Sequence, residues 1–304
     1  MSQEPRFGRL LTAMVTPFTP DLELDLPRAA ALAQRLVQQG SEGLIVNGTT
    51  GESPTISRPE RLELFKAVRS AVGGQIPLVA NVGDNCTADS VEFAKKVAQL
   101  GFEGLLVVTP YYNKPPQEGL YRHFRAVAEA VPDTPVILYN IPSRCVVNIE
   151  PDTIIRLAHD VPNIVAVKQA HSDMNQVDEI LSRARGFEVL SGDDDLTLEM
   201  MKRGGSGVIS VTAHVAGDAL HKMIAAYIAG DLHVAEEINA ILAPLHKTLF
   251  STTNPIMVKA ALAITGFEVG GLRLPLIDAN AEQRAALKEV LVSIDSKLRE
   301  RNYR

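Results

Sequence analysis

One lysine ends an apolar run of the sequence, and an amine in that position could carry out covalent chemistry. Lys168 closes the run 164–168, in which it follows Ile, Val, Ala and Val. If the run is a buried strand, burial penalises the charged form of the amine, and a neutral amine can add to a ketone to form an imine. A lysine at a strand end can instead extend its ammonium group into water, and position alone leaves both interpretations open.

Three other groups in the sequence have chemistry that complements an amine. Tyr139 ends the preceding β-rich run, where a phenol could relay protons or could be an amphipathic side chain at the edge of the core. The turn 48–51 (Gly-Thr-Thr-Gly) offers backbone N–H groups and two hydroxyls that suit a small carboxylate, although it also fits an ordinary glycine turn. Arg144 offers a planar fork for a second carboxylate, or is a surface arginine.

Other common reaction chemistries lack their sequence patterns. The seven histidines form no HxH or HExxH pattern, and their positions favour surface or core-edge roles. No GxSxG or Walker motif occurs, and the two cysteines, Cys86 and Cys145, form no CxxC pair. The acidic segment 193–195 fits a loop that caps a helix better than a cation site. These patterns disfavour a metal-dependent reaction.

The elements that must position these residues follow from the spacing of the β-rich runs. Eight runs start roughly 20 to 35 residues apart, which is the length of one βα unit. They span residues 11–16, 43–46, 78–82, 104–108, 136–139, 164–168, 188–190 and 207–211. Eight units complete a barrel, and no GxGxxG turn follows the first run, so the pattern favours a (β/α)8 barrel over an open sheet. In such a barrel, reactive groups collect where the strands end.

Helical patterns fill the gaps between the runs and continue after the eighth. Ser57 with Glu60 forms a capping box, and Thr87 is expected to cap another helix. The helices predicted after the eighth run span residues 216–229, 233–249, 254–265 and 280–299. We therefore expect an α/β fold with a TIM barrel at residues 1–230 and a C-terminal helical extension, packed on the barrel, at residues 231–304.

Composition restricts the possible partners. The 304 residues are 46% apolar, which allows a large core, and their formal net charge is -6 with no basic stripe, which disfavours nucleic acid as a partner. No apolar run approaches the roughly 20 residues that cross a bilayer, and the N-terminus has no apolar signal core. We expect a soluble cytoplasmic protein that does not bind a membrane.

Four motifs occur in a characteristic order along the chain. They are Gly-Thr-Thr-Gly-Glu at 48–52, Tyr-Tyr-Asn-Lys-Pro at 111–115, Tyr-Asn-Ile-Pro-Ser-Arg at 139–144 and Val-Ala-Val-Lys at 165–168. In order and spacing they resemble the dihydrodipicolinate synthase family, class I aldolases of the N-acetylneuraminate lyase superfamily, over essentially the whole chain. The resemblance implies that pyruvate condenses with L-aspartate 4-semialdehyde through a lysine Schiff base, in the diaminopimelate branch of lysine biosynthesis, without a cofactor.

The resemblance also implies roles for individual residues. Lys168 would form the Schiff base with pyruvate, and Tyr139 would relay protons through Thr49 to Tyr112. In the family, the tyrosine that matches Tyr112 comes from a neighbouring subunit, and the family forms tetramers, so a homotetramer built as a dimer of dimers is implied. The residues that would contact the substrates are Thr50 at the pyruvate carboxylate, Arg144 at the semialdehyde carboxylate, and Gly192 and Ile209 in the pocket wall.

Two positions separate this interpretation from related enzymes. Sialic acid lyases carry serine where this chain has Thr49, and they usually carry an apolar residue where it has Arg144. Another class I pyruvate lyase, acting on a 2-keto-3-deoxy acid or on N-acetylneuraminate, is the enzymatic alternative. A catalytically silent barrel that binds a metabolite is the non-enzymatic alternative.

Inhibition by lysine is the property for which the sequence departs from the resemblance. Lysine-inhibited members commonly carry histidines after the Gly-Glu-Ser segment, and the matching positions here are arginines. The residues that could form an allosteric lysine site are Ser53, Arg58, Arg61, Asn85, Asp89 and Tyr111. Two guanidinium groups disfavour a bound ammonium group, so we predict weak or absent inhibition. His214 also stands where the resemblance predicts asparagine.

Overall fold

Eight parallel strands form a closed barrel, in chain order, in the computed structural model, which describes residues 4–303. The strands are β1 Leu10–Ala13, β2 Gly43–Val46, β3 Leu78–Asn81, β4 Gly104–Val108, β5 Val136–Asn140, β6 Ile164–Gln169, β7 Glu188–Ser191 and β8 Gly207–Ser210. The predicted TIM barrel is confirmed. Among the described residues, no helix has both the length and the apolar character needed to span a bilayer.

The strands form because short apolar runs are covered on both faces. Every residue of β1, β2, β3, β5 and β8 is buried, so continuous rather than alternating hydrophobicity marks these strands. In the parallel register, Tyr139 of β5 pairs with Lys168 of β6, and Asn140 pairs with Gln169. Because side chains alternate between the two faces along each strand, this register determines which of them meet where the strands end.

Several strands end at residues other than the predicted ones. β1 stops at Ala13 rather than at residue 16, and the Thr16 hydroxyl donates instead to the carbonyl of Gly51 at 2.7 Å. β5, β6 and β7 each continue one residue further than predicted, into Asn140, Gln169 and Ser191. The continuation is possible because backbone pairing needs no apolar side chain, and each of these polar side chains forms a hydrogen bond.

Twelve α-helices lie within residues 4–303. They are α1 Leu26–Gln38, α2 Arg58–Val72, α3 Thr87–Ala98, α4 Gln117–Glu129, α5 Pro142–Cys145, α6 Pro151–Asp160, α7 Met174–Arg183, α8 Thr197–Lys202, α9 Ala213–Ile228, α10 Leu232–Leu249, α11 Ile256–Ile264 and α12 Ala281–Glu300. The capping box of Ser57 and Glu60 at the start of α2 is present as predicted.

Several predicted helix starts are wrong: α11 begins at Ile256 rather than at residue 254, and two more differences concern α3 and α9. Cys86, not Thr87, is the N-cap of α3, because the Thr87 hydroxyl is engaged at 2.9 Å by Nδ1 of His123 on α4. The helix predicted from residue 216 begins at Ala213, and Ala216 interrupts it with a non-helical backbone (φ -140°, ψ 34°). In both cases a local pattern was correct about the helix and wrong about its first turn.

The contacts of the chain divide it into two units. The first comprises residues 4–9 and 77–209, and contains β3 to β7, most of β8, and α3 to α8. The second comprises residues 10–76 and 210–303, and contains β1, β2, α1, α2 and α9 to α12. The predicted domain boundary at residue 230 stays a prediction. Residues 1–3 and 304 of the predicted domains lie outside the described residues.

Candidate active site

Lys168 lies near the C-terminal end of β6, with Tyr139 as its partner in β5. The lysine is 6% exposed and Tyr139 is 4% exposed, and Nζ of Lys168 lies 4.4 Å from the centre of the Tyr139 ring. Within residues 4–303, Lys168 forms no ion pair. A buried lysine beside a phenol at adjacent strand ends is a candidate for nucleophilic chemistry on a carbonyl.

The strand ends next to this pair are joined by an amide network that sequence reasoning missed. Nδ2 of Asn140 donates to Oε1 of Gln169 at 3.1 Å and to Oδ1 of Asn148 at 2.8 Å. Oδ1 of Asn140 accepts the N–H of Ile149 at 3.0 Å. Asn140, at the start of the loop that carries Arg144, is thus bonded to residues 148 and 149 at the end of that loop. The Arg144 side chain is exposed on the short helix α5. The signal available in the sequence was a polar residue directly after an apolar run.

Gly192 follows β7, and its lack of a side chain is required. A Cβ at this position would lie 2.6 Å from Cβ of Ala170, which follows β6, and the Gly192 N–H donates to the Gln169 carbonyl at 2.8 Å. Glycine thus lets the segments that follow β6 and β7 approach closely. Ile209, the other predicted wall residue, is fully buried in β8.

Asp193 was also missed as a site residue. Burial raises the pKa of its carboxyl to about 6, and the charge of Lys168 opposes that rise. The segment 193–195 stands at a helix start as expected, with Asp193 at the N-cap of the turn Asp194–Leu196, although the Asp193 side chain forms no capping hydrogen bond. A carboxyl that titrates near neutral pH within electrostatic reach of an amine is a candidate proton carrier.

The second unit contains the turn with the two predicted threonines. Thr50 is buried and accepts a hydrogen bond from Nδ2 of Asn254 at 2.9 Å, while Thr49 is half-buried. Glu52 at the end of the motif forms a 2.6 Å ion pair with Lys259 of α11, and the two side chains are 0% and 2% exposed. Sequence reasoning missed Asn254 and Lys259, because nothing near them in the chain indicates these distant partners.

Tyr112 occupies an unusual position. Its φ is 73° and it is 89% exposed, the most exposed of the large hydrophobic side chains among the described residues. The hydroxyl of the neighbouring Tyr111 instead donates a hydrogen bond to Oδ1 of Asp84 at 3.2 Å. A positive φ in a residue with a Cβ is uncommon, and here it belongs to an aromatic side chain directed into solvent.

The predicted allosteric residues divide between the two units. Arg61, at 9% exposure, donates from Nε to the Ile56 carbonyl at 2.9 Å and from a terminal nitrogen to the Ser53 carbonyl at 2.7 Å, while Arg58 begins α2. In the other unit, the Asn85 N–H donates to Oδ1 of Asp84 at 2.7 Å, and Asp89 lies exposed in the first turn of α3.

Three histidines are buried, so the expectation of surface or core-edge roles is wrong for them: His123, His214 and His246. His214 accepts the Val15 N–H at Nε2 (3.1 Å), while its Nδ1 lies 2.8 Å from the Val211 carbonyl. The ring is therefore a proton donor at Nδ1 and an acceptor at Nε2. An asparagine amide also offers one donor and one acceptor.

A closed βα barrel with a buried lysine and a phenol at adjacent strand ends has the architecture of an enzyme that acts on small carbonyl compounds. In the described residues, no group of three or more histidine, cysteine, aspartate or glutamate side chains could hold a metal ion. The class of protein that the closed βα barrel defines is a (β/α)8-barrel enzyme.

Comparison with known proteins identifies the family. The family model described as the dihydrodipicolinate synthetase family matches residues 6–294, and the chain belongs to this family. The chain is 57% identical over 288 residues to the 4-hydroxy-tetrahydrodipicolinate synthase of Symbiobacterium thermophilum, covering 94% of this chain and 98% of that protein. The corresponding protein of a Cyanothece species is 51% identical over 290 residues, covering 95% and 98%.

A solved structure supports the same assignment. The dihydrodipicolinate synthase of Cyanidioschyzon merolae, crystallised with lysine bound, superimposes with a TM-score of 0.94 at 43% identity, covering 96% of this chain and 99% of that one. Both the fold and the family predicted from the sequence are therefore confirmed.

Proposed function

We propose that this chain condenses pyruvate with L-aspartate 4-semialdehyde to give 4-hydroxy-tetrahydrodipicolinate, in lysine and diaminopimelate biosynthesis. Two curated relatives at 57% and 51% identity carry the name of that synthase, and the chain aligns with nearly their whole length. The observation that carries the proposal is the burial of Lys168 beside the ring of Tyr139. The family is already established, and the reaction is the proposal.

The reaction begins with the Lys168 amine. Its nitrogen adds to the ketone carbon of pyruvate, and loss of water gives the imine, which draws electrons from the neighbouring methyl group. Loss of a methyl proton gives an enamine, whose carbon attacks the aldehyde carbon of the second substrate. The amine of that substrate then attacks the imine carbon, closes the ring and releases Lys168 unchanged. No electrons are transferred to an external acceptor, so no redox cofactor is needed.

Protons must move at each of these steps, and Tyr139 is the proposed relay. Its ring contacts the Lys168 amine, which supports the role, and Thr49 and Tyr112 would extend the relay. Asp193, whose pKa is raised to about 6, would serve as a further proton carrier near the amine.

The substrate carboxylates have proposed partners of matching chemistry. Thr49 and Thr50 would hold the carboxylate of pyruvate, and Arg144 would hold that of the semialdehyde, since guanidinium and carboxylate form paired charge-assisted hydrogen bonds. Gly192 and Ile209 would line the pocket. The exposed position of Arg144 on α5 supports its placement where the second substrate enters.

The enzyme is proposed to act as a homotetramer built from tight dimers. Tyr112 is 89% exposed in the single chain, which supports donation of its side chain to a neighbouring subunit. Mixing inactive Lys168→Ala protein with weakly active Tyr112→Phe protein tests this. Exchange of subunits creates sites with both native residues, so activity should rise above the sum of the two, and no rise would contradict the proposal.

Two further features complete the proposal. Both cysteines are free, with Cys86 exposed and Cys145 buried, which suits the reducing cytoplasm proposed as the site of action.

Lysine is proposed to inhibit weakly or not at all, although lysine is bound to the Cyanidioschyzon merolae relative.

Reductive trapping tests the proposed reaction. Pyruvate and borohydride should convert the imine into a stable adduct, and mass spectrometry of peptides should find it on Lys168. The other buried lysine, Lys259, serves as the internal control and should stay unmodified. A parallel assay compares aspartate semialdehyde with N-acetylneuraminate and 2-keto-3-deoxy acids. An absent adduct favours the silent barrel, and turnover of only the sugar acids favours the other lyases.

A further inference from the structure

The hydroxyl of Thr50 has one hydrogen-bond partner in the described part of the chain, and that partner is 204 residues away. Nδ2 of Asn254 donates to Oγ1 of Thr50 at 2.9 Å, and the two residues are 7% and 3% exposed. Across residues 4–303 no acceptor receives the hydroxyl proton of Thr50 itself. The threonine is thus an acceptor within the protein and keeps its proton for another group.

The chemistry of the amide makes this arrangement directional. An NH2 group only donates, so it occupies a lone pair of the hydroxyl oxygen and turns the O–H bond away from Asn254. Without this partner, the Thr50 hydroxyl could rotate. A lone pair of its oxygen could then face the place of the carboxylate, which needs a hydrogen-bond donor. Asn254 therefore determines that Thr50 presents a proton, which is the polarity that an anionic substrate requires.

A second contact fixes Asn254 relative to the threonine turn. Glu52, two residues after Thr50, forms a buried 2.6 Å ion pair with Lys259. Lys259 lies on α11, which starts two residues after Asn254. Nζ of Lys259 also donates to the carbonyl of Gly271 at 2.7 Å. The same segment of chain thus contacts the turn through one amide and one ion pair, so the Asn254–Thr50 distance does not depend on a single hydrogen bond.

We propose that Asn254 is a positioning residue for the pyruvate carboxylate, acting through the orientation of the Thr50 hydroxyl. The proposal rests on the proposed function, because it assigns Thr50 to that carboxylate. Asn254 itself would not contact the substrate, and its loss should weaken pyruvate binding without changing the chemistry at Lys168.

A double-mutant cycle tests the proposal. Asn254→Ala should raise KM for pyruvate, by no more than the roughly tenfold effect of losing one hydrogen bond to a charged group, with kcat within about twofold of wild type. Thr50→Val removes the hydroxyl and should raise KM for pyruvate at least as much. In the Thr50→Val background, Asn254→Ala should have no further effect on KM. KM for aspartate semialdehyde should stay unchanged in all three.

Two variants guard against a purely structural explanation. Asn254→Asp keeps the shape but replaces the donor by an acceptor that attracts the Thr50 proton, so KM for pyruvate should rise more than in Asn254→Ala. Asn280→Ala removes the N-cap of α12, the matched case of an asparagine with a structural role, and should lower the melting temperature without moving KM.

The outcomes separate this proposal from the proposed function. Suppose that the wild type forms the borohydride adduct with pyruvate. If the two substitutions then have additive effects on KM, or if Asn254→Ala lowers kcat and leaves KM unchanged, only the role of Asn254 is overturned. If the wild type forms no adduct, the proposed reaction fails, and the role of Asn254 fails with it.

Discussion

Lys168 and Tyr139 are paired residues of adjacent parallel strands, with Nζ of the lysine 4.4 Å from the centre of the tyrosine ring. The contact joins an amine to the face of a phenol, and it places the phenol next to the atom that would attack pyruvate. The pair depends on the register between β5 and β6, since a shift by one residue would turn one of the two side chains to the other face of the sheet.

Replacement of Tyr139 by phenylalanine keeps this packing and removes the hydroxyl. We expect kcat to fall by roughly 100-fold to 10,000-fold, the usual contribution of a positioned proton-transfer group, with little change in melting temperature. The rate of borohydride trapping with pyruvate should fall with it. Tyr121→Phe is the matched control, because its hydroxyl bonds Asp160 at 2.8 Å on the outer helices, and it should keep full activity. Equal activity of both variants would exclude a proton relay through residue 139.

Lys259→Met tests the buried ion pair with Glu52. Burial lowers the pKa of Lys259 and Glu52 opposes this, so removing the lysine leaves a carboxylate buried without its cation. We expect a loss of about 3–5 kcal/mol in the free energy of unfolding, measured with urea. The double variant Lys259→Met with Glu52→Gln should lose less than Lys259→Met alone.

The control for this experiment is an exposed pair. Lys66 and Glu63 are 2.9 Å apart, with side chains 58% and 56% exposed. Lys66→Met should change the free energy of unfolding by less than about 1 kcal/mol. Similar losses for Lys66→Met and Lys259→Met would show that burial does not determine the strength of the pair.

His123 should make the stability depend on pH. Burial lowers its pKa from 6.5 to about 4, opposed by the charge of Asp84. Between about pH 6.5 and pH 4 the unfolded chain therefore binds a proton here that the folded chain does not, and stability falls as the pH drops through this window.

The variant His123→Gln should lose this dependence. When the pH is lowered from 6.5 to 4, the free energy of unfolding of the variant should fall by about 3 kcal/mol less than that of wild type. The measurement is urea unfolding at each pH. The exposed His159 on α6 provides the control, and His159→Gln should follow the wild-type curve. A wild-type curve that is flat over this range would contradict the assignment.

Lysine should not inhibit the enzyme at millimolar concentration. Arg61 is fixed by its bonds to the carbonyls of Ser53 and Ile56, so its positive charge cannot easily move away from an incoming ammonium group. The measurement is the rate of pyruvate condensation with and without lysine. Because replacing both guanidinium groups removes permanent positive charge, the double variant Arg58→His with Arg61→His should become more sensitive than wild type. Strong inhibition of the wild type would refute the prediction.

Local sequence patterns predicted the barrel well, and for a clear reason. Each strand is a short apolar run whose burial does not depend on the details of its neighbours, so eight runs at regular spacing were enough. The ends of the strands were less predictable. Asn140 and Gln169 extend β5 and β6 because they bond each other, and this pairing between residues 29 apart has no local sequence pattern.

In the candidate site, too, local sequence patterns predicted some residues, while contacts between distant residues were missed. The motifs predicted Lys168 and Tyr139 because each ends its own strand run. Asn254 was missed because its role depends on a contact with Thr50 that the fold alone creates. Asp193 was expected only at a helix start, because an acidic segment ahead of a helix gives no sign that the charge of a lysine on another strand reaches its carboxyl.

The contact between Thr50 and Asn254 also has a consequence for synthesis of the chain. Ribosomes add roughly 5–20 residues per second, so the asparagine emerges roughly 10 to 40 seconds after the threonine that it orients. During that interval the threonine turn exists without the side chain that directs its hydroxyl. A nascent chain could therefore complete most of its strands well before it could bind its first substrate in the native manner.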